Sequence, residues 1–130
     1  MKSITLIARL LLGFIFLVFG SDYFFHFIDK IVSFPDIGDK ANNYLGAFAA
    51  TGYFFPILKS IEIVCGVLLL INRYAAFIAV VVFPITLNIF LFDAFMAPSL
   101  LYMGGGMMIL NVILLYAYRR SYSSILASKP

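Results

Sequence analysis

Polar residues fall into a few short clusters along the chain, and four long apolar runs lie between them. The runs cover 4–25, 53–71, 74–92 and 100–118. A helix of roughly 20 apolar residues crosses ~30 Å of hydrocarbon, so each run predicts a transmembrane helix. The breaks are specific. Asn72, Arg73 and Tyr74 predict a tight turn, and 93–99 contains Pro98, suited to the first turn of the next helix. The longest polar segment, 26–52, is more than plain loop. Pro35, Asp36 and Gly38 supply turn chemistry and Asp39 is a plausible N-cap. Ala41, Tyr44, Leu45 and Phe48 then recur at helical spacing, and Gly52 is a natural stop. The pattern predicts a short amphipathic helix over 39–51, lying at the interface across the outer end of the bundle. An ordered loop is the alternative.

Composition strengthens the membrane reading. Hydrophobic residues make up 64% of the 130 residues and charged ones 12%, with 15 Phe and 8 Tyr. A water-soluble chain of this length could not bury so much apolar surface. The expectation is a single domain over 1–130: an all-α integral membrane protein, a four-transmembrane-helix bundle with a short interfacial helix between the first and second spans. Tyr23, Phe24, Tyr53, Tyr74, Phe92, Tyr102, Tyr116 and Tyr118 cluster near the span ends, as an aromatic belt does. Lys2, the apolar core and the segment 18–21 pass for a signal peptide, but Arg9 interrupts the start of the run. The first span is therefore expected to be retained.

Charge sets the expected orientation. With four spans, Lys2, Arg73, Arg119, Arg120 and Lys129 share one side. Lys30 and Lys40 lie on the other, amid Asp22, Asp29, Asp36, Asp39 and Asp93. The Lys/Arg-rich side is expected to be cytoplasmic, with both termini inside a bacterial-type inner membrane. The net charge of +3 follows from this topology and does not point to nucleic acid. The single cysteine, Cys65, has no partner for an internal disulfide and reads as a small buried hydrophobe. One histidine and no second thiol make a metal site improbable. Met-Gly-Gly-Gly-Met-Met at 103–108 lacks the residues of a phosphate loop and reads as a site of close helix packing.

The candidate chemistry is the set of polar groups inside the spans. Lys59, Glu62 and Gly66 fall on one face of the second span, at i, i+3 and i+7. Charge in mid-bilayer costs at least a few kcal/mol, so that face is expected to point into the bundle. Arg9, Gly13, Phe16 and Gly20 share a stripe on the first span, and the glycines permit close helix approach. Two layers are expected: a lower one of Arg9, Glu62 and Asn111, with an Arg9–Glu62 pair, and an upper one of Lys59 and Asn88. The upper layer should open toward an outer mouth at Asp22, His26 and Asp93. His26 alone reads as an interfacial residue. Pro84, inside the third span, should kink the helix or free the Val80 carbonyl. The polar groups are either interhelical glue or a ligand pocket. Their number favours a cavity reached from the outer side, partly covered by the 39–51 helix.

Three stretches carry a resemblance. The segment 8–20 has the Arg and two Gly of the first helix of DoxX-like membrane proteins. The segment 51–74 is similar to the family's second helix, with its Lys59-x-x-Glu62, Gly66 and Asn72-Arg73 turn, and 83–93 resembles the third. The likeness covers nearly the whole chain. It implies a four-helix inner-membrane protein, with Arg9, Lys59, Glu62 and Asn88 at the family's polar positions. Some relatives are subunits of a thiosulfate:quinone oxidoreductase, so the resemblance brings in a quinone as the one cofactor to consider. The residues show no haem or flavin ligand set and no cysteine pair. Three functions compete. The first is a non-catalytic binding, accessory or assembly subunit, with a lipid-like ligand, another membrane protein or a second copy of the chain as partner. The second is a quinone-linked oxidoreductase subunit. The third is a proton or small-molecule transporter using Glu62, disfavoured by four spans without internal repeats.

Overall fold

A computed structural model of the chain describes residues 2–31, 33 and 36–129, with Asp29 by its backbone alone. Five α-helices run in order: α1 (Lys2–Phe25), α2 (Gly38–Ala49), α3 (Phe54–Leu70), α4 (Ala75–Phe95) and α5 (Leu101–Ala117). Short 3₁₀ turns follow α1, precede α5 and follow α5. The described residues contain no strand. α1, α4 and the stretch Pro98–Ala117 are each long and apolar enough to cross a bilayer. α3, at 17 residues, spans about 25 Å and lies at the lower limit of a transmembrane helix. Between α2 and α3 the chain turns by 90°, so α2 runs across the end of the bundle while α3 runs through it.

α1 and α3 form the tightest pair. They are antiparallel, because Gly13 meets Gly66 while Gly20 meets Lys59 and Ile63. A Cβ on Gly66 would come within 2.7 Å of both the Gly13 carbonyl oxygen and the Leu17 amide nitrogen. The glycines therefore leave no free volume beside the charges: main chain fills it. α4 and α5 form the second antiparallel pair, with Asn111 beside Ala79 and Gly104 beside Phe90 and Asp93. Gly105 and Gly106 face open space, so of that glycine run Gly104 alone serves close packing. α1 packs on α5, and α3 and α4 touch least of the four neighbouring pairs. Leu12, Phe16, Leu69, Val82 and Leu114 fill the centre, fully buried.

The turns explain the helix ends. After α3, Asn72 takes a left-handed conformation (φ 58°). The Arg73 amide then donates to the Leu68 carbonyl and the Asn72 amide to Leu69, which makes a Schellman motif. α2 starts one residue before Asp39, which lies in its first turn and caps nothing by its side chain. Asp36 makes the local bond instead, its Oδ1 accepting from the Gly38 amide at 3.0 Å. Pro35 lies outside the described residues. α4 continues through Pro84 without a break. At the far end, Tyr122 Oη donates to the Ala76 carbonyl at 2.6 Å and pins the chain after α5 to the start of α4.

Candidate functional site

Two adjoining cavities occupy the upper half of the bundle. One, of about 320 Å³, lies between α3 and α4 under α2, with Lys59, Glu62 and Asn88 in its wall. The other, also about 320 Å³, lies at the centre, bounded by Phe16 and Phe19 of α1, Asp93 of α4 and Met103 and Met107 of α5. Both are lined by Leu45, Lys59, Glu62, Ile89 and Phe92. Each has the volume of a small-ligand pocket. The walls are otherwise almost wholly apolar.

Glu62 and Lys59 are placed by helical periodicity. Three residues apart on α3, they meet on the face turned to α4, with Lys59 Nζ 3.1 Å from Glu62 Oε2. Glu62 is 2% exposed. The contact is a close ion pair, and beyond the Lys59 ammonium Oε2 has no donor among the described residues. A carboxylate oxygen can accept from more than one donor, so this one keeps acceptor capacity in the buried wall. Two further buried oxygens share this state, Thr86 Oγ1 and Asn111 Oδ1.

The roof is aromatic. Phe48 of α2 stacks on Phe54 of α3 at 4.3 Å, and Tyr44 of α2 meets Phe92 of α4 at 5.4 Å. Phe54 adjoins Phe55, which adjoins Tyr23 of α1, so linked rings run across the outer end of the bundle. These contacts seat α2 over the cavities through the Ala41, Tyr44, Leu45 and Phe48 stripe. Leu45, Phe54, Phe55 and Phe92 were not among the expected site residues. The stripe marks Leu45, and the aromatic cluster near the span ends marks Phe92, though as an interfacial residue and not as a cavity wall.

Several expected neighbours are not brought together. Arg9 does not pair with Glu62. Its Nη1 donates to the Leu69 carbonyl at 2.5 Å and the Leu70 carbonyl at 3.1 Å, at the other end of α3. Leu69 lies seven residues beyond Glu62, about 10 Å along the helix, further than a guanidinium can climb. Asn111 Nδ2 donates to the Ala79 carbonyl at 3.0 Å and ties α5 to α4. The lower layer is thus not a network but two separate helix clamps. At the outer end, Asp22 does not line either cavity: its Oδ1 accepts from the Ile28 amide at 2.7 Å and closes the turn after α1. His26 is the left-handed residue of that turn (φ 54°) and is exposed. Asp93 alone of the three reaches a cavity, packed on the Gly104 backbone with its carboxylate toward the Gly104 amide. Among the described residues, no group of His, Cys, Asp and Glu could hold a metal ion.

Comparison with curated proteins and with solved structures gives no significant match. A profile of the DoxX family matches residues 4–97, which takes in α1 through α4 and both charged walls of the cavities. That match covers well over half of the chain, and with the apolar helices it shows that this protein belongs to the DoxX family of multi-pass membrane proteins.

Proposed function

We propose that the protein is a non-catalytic binding subunit whose paired cavities take a small amphiphile from the membrane. One observation carries this: the Lys59–Glu62 pair faces roomy apolar space with hydrogen-bonding capacity unfilled on the buried carboxylate. Asn111 and Thr86 also keep an oxygen without a hydrogen bond, but neither lines a cavity; the Lys59–Glu62 pair does. The pair offers both N–H donors and a carboxylate acceptor. It therefore suits a head group carrying a carbonyl to accept from Lys59 or a hydroxyl to donate to Glu62, on an apolar body that the walls would accommodate.

A quinone or quinol fits that description, and the rings of Phe54, Phe55 and Phe92 beside the pair favour a flat head group. On this second reading the chain would be the quinone-holding subunit of an oxidoreductase whose redox groups lie on another protein.

The test is direct. The purified protein is melted in mild detergent with a short-chain quinone, its quinol and an alkyl alcohol of equal chain length. The reading expects the ring compounds to raise the melting temperature, and Lys59→Met or Glu62→Gln to abolish the rise. Equal shifts with all three compounds, or shifts that survive both substitutions, would overturn it.

A further inference from the structure

The end of the bundle that holds both termini carries a second site. A cleft of about 400 Å³ lies among Lys2, Thr5 and Arg9 of α1, Asn72 of the α3–α4 turn and Tyr118 after α5. It shares no lining residue with the cavities under α2.

Arg9 lies at the centre of this cleft's charge. It is 9% exposed, and it donates through one nitrogen, Nη1, to two main-chain carbonyls. Carbonyls are dipoles, so the guanidinium keeps its whole positive charge. No carboxylate among the described residues pairs with it; the ion pair they contain is Lys59–Glu62. The sequence explains why. No Asp or Glu falls in 1–21, 63–92 or 94–130, the segments that reach this end. Arg73, Arg119 and Arg120 add to the same field, with Arg119 held at 4.1 Å over the Tyr116 ring. A nearly buried cation at the edge of hydrocarbon is costly without a counter-charge. Other polar groups in the cleft suit an anion: a second cation in Lys2, an amide in Asn72 and a phenol in Tyr118.

We propose that this cleft binds a phosphate group, supplied by the head group of an anionic phospholipid. A guanidinium matches phosphate geometry through its fork of donors, and an ammonium adds a mobile second charge. Basic pockets between spanning helices at head-group depth are suited to anionic lipids. The apolar walls at Leu6 and Ala117 give the lipid's glycerol and first methylenes a surface that free phosphate would not use.

The full chain, purified in a neutral detergent, is titrated with phosphatidylglycerol, with phosphatidylcholine of the same chains, and with inorganic phosphate at constant ionic strength. Melting temperature is the readout. Phosphatidylglycerol should raise it by a few °C and phosphatidylcholine should not. Arg9→Gln removes the cap on α3 and could prevent folding, so the deciding variant is Lys2→Gln, at an exposed position. Losing one basic residue near the surface should weaken the apparent phosphatidylglycerol affinity about fivefold. The same variant should leave the response to ring compounds at the Lys59–Glu62 cavities unchanged, and Lys59→Met should leave the phosphatidylglycerol response unchanged. Full stabilisation by inorganic phosphate, lost in Lys2→Gln, would keep the phosphate assignment and make free phosphate its source. Equal shifts with the two lipids, or equal responses of wild type and Lys2→Gln, would overturn it.

Discussion

Gly66→Ala should destabilise the protein, although the same change in an open helix stabilises. A Cβ at this position would sit 2.7 Å from the Gly13 carbonyl oxygen and 2.7 Å from the Leu17 amide nitrogen, where ordinary contact begins at 3.4 Å. Both obstacles are main chain and cannot rotate away. The α1–α3 seam must open by about 0.7 Å. A gap of ~0.5–1 Å forfeits a quarter to a half of each contact's attraction along the seam. Overpacking of this kind costs ~1–3 kcal/mol. The gain in helix propensity, ~0.5–1 kcal/mol, offsets only part of it. Gly105, also helical, has nothing within 4 Å of its added Cβ, so Gly105→Ala keeps the gain without the clash. Gly20 is intermediate, since its nearest neighbour is Ile63 Cγ1, a side-chain atom that can shift. Thermal unfolding in detergent, followed by helix circular dichroism, should rank the melting temperatures Gly105→Ala, wild type, Gly20→Ala, Gly66→Ala from high to low. A Gly66→Ala protein melting at or above wild type would refute the close-contact argument.

Glu62→Ala strands the Lys59 ammonium beside apolar walls; removing one partner of a buried pair costs ~3–5 kcal/mol, and the partial exposure of Lys59 places the expected loss at the low end. Lys129→Ala, at an exposed tail position, serves as the control, and equal melting temperatures would exclude a buried pair. Tyr122→Phe removes the hydrogen bond to the Ala76 carbonyl and should cost ~1 kcal/mol near neutral pH. Burial, with Tyr118 as a smaller cause, pushes the Tyr122 phenol above its usual value. Its contribution is therefore complete below pH ~10 and fades as pH rises past that point, so the wild-type advantage over Tyr122→Phe should shrink in alkaline melts. Reporter fusions at Arg73 and after Lys129 should both signal cytoplasm, as the Lys/Arg distribution predicts; a signal from the opposite face at either point would overturn that orientation.

Much of this was legible in the sequence, because helical periodicity is local. The Lys59–Glu62 pair, the glycine seam and the stripe at 41, 44, 45 and 48 each follow from spacing within one helix. What needed the fold was depth and divergence. Arg9 and Glu62 sit on facing helices, but nothing in either segment says that Arg9 lies level with Leu69. Asp22 reads as part of a cavity mouth, and only the fold shows its carboxylate turned to the Ile28 amide in the turn after α1. The cavities lie where α3 and α4 touch little, with Leu45 of α2 in the wall of both and Phe48 in that of one. No residue pattern encodes such a gap.

The loose contact between α3 and α4 has a consequence for supply. The cavity under α2 is walled by α2, α3 and α4 only, and it shares Lys59 and Glu62 with the central one. On the reading proposed above, a molecule entering between α3 and α4 would leave the bilayer sideways, without passing through water. Its occupancy would be set by its mole fraction among the lipids, with the membrane as an antechamber that concentrates oily molecules and excludes hydrophilic ones. Solubility in the leaflet, before any contact with protein, is then the first stage of selection.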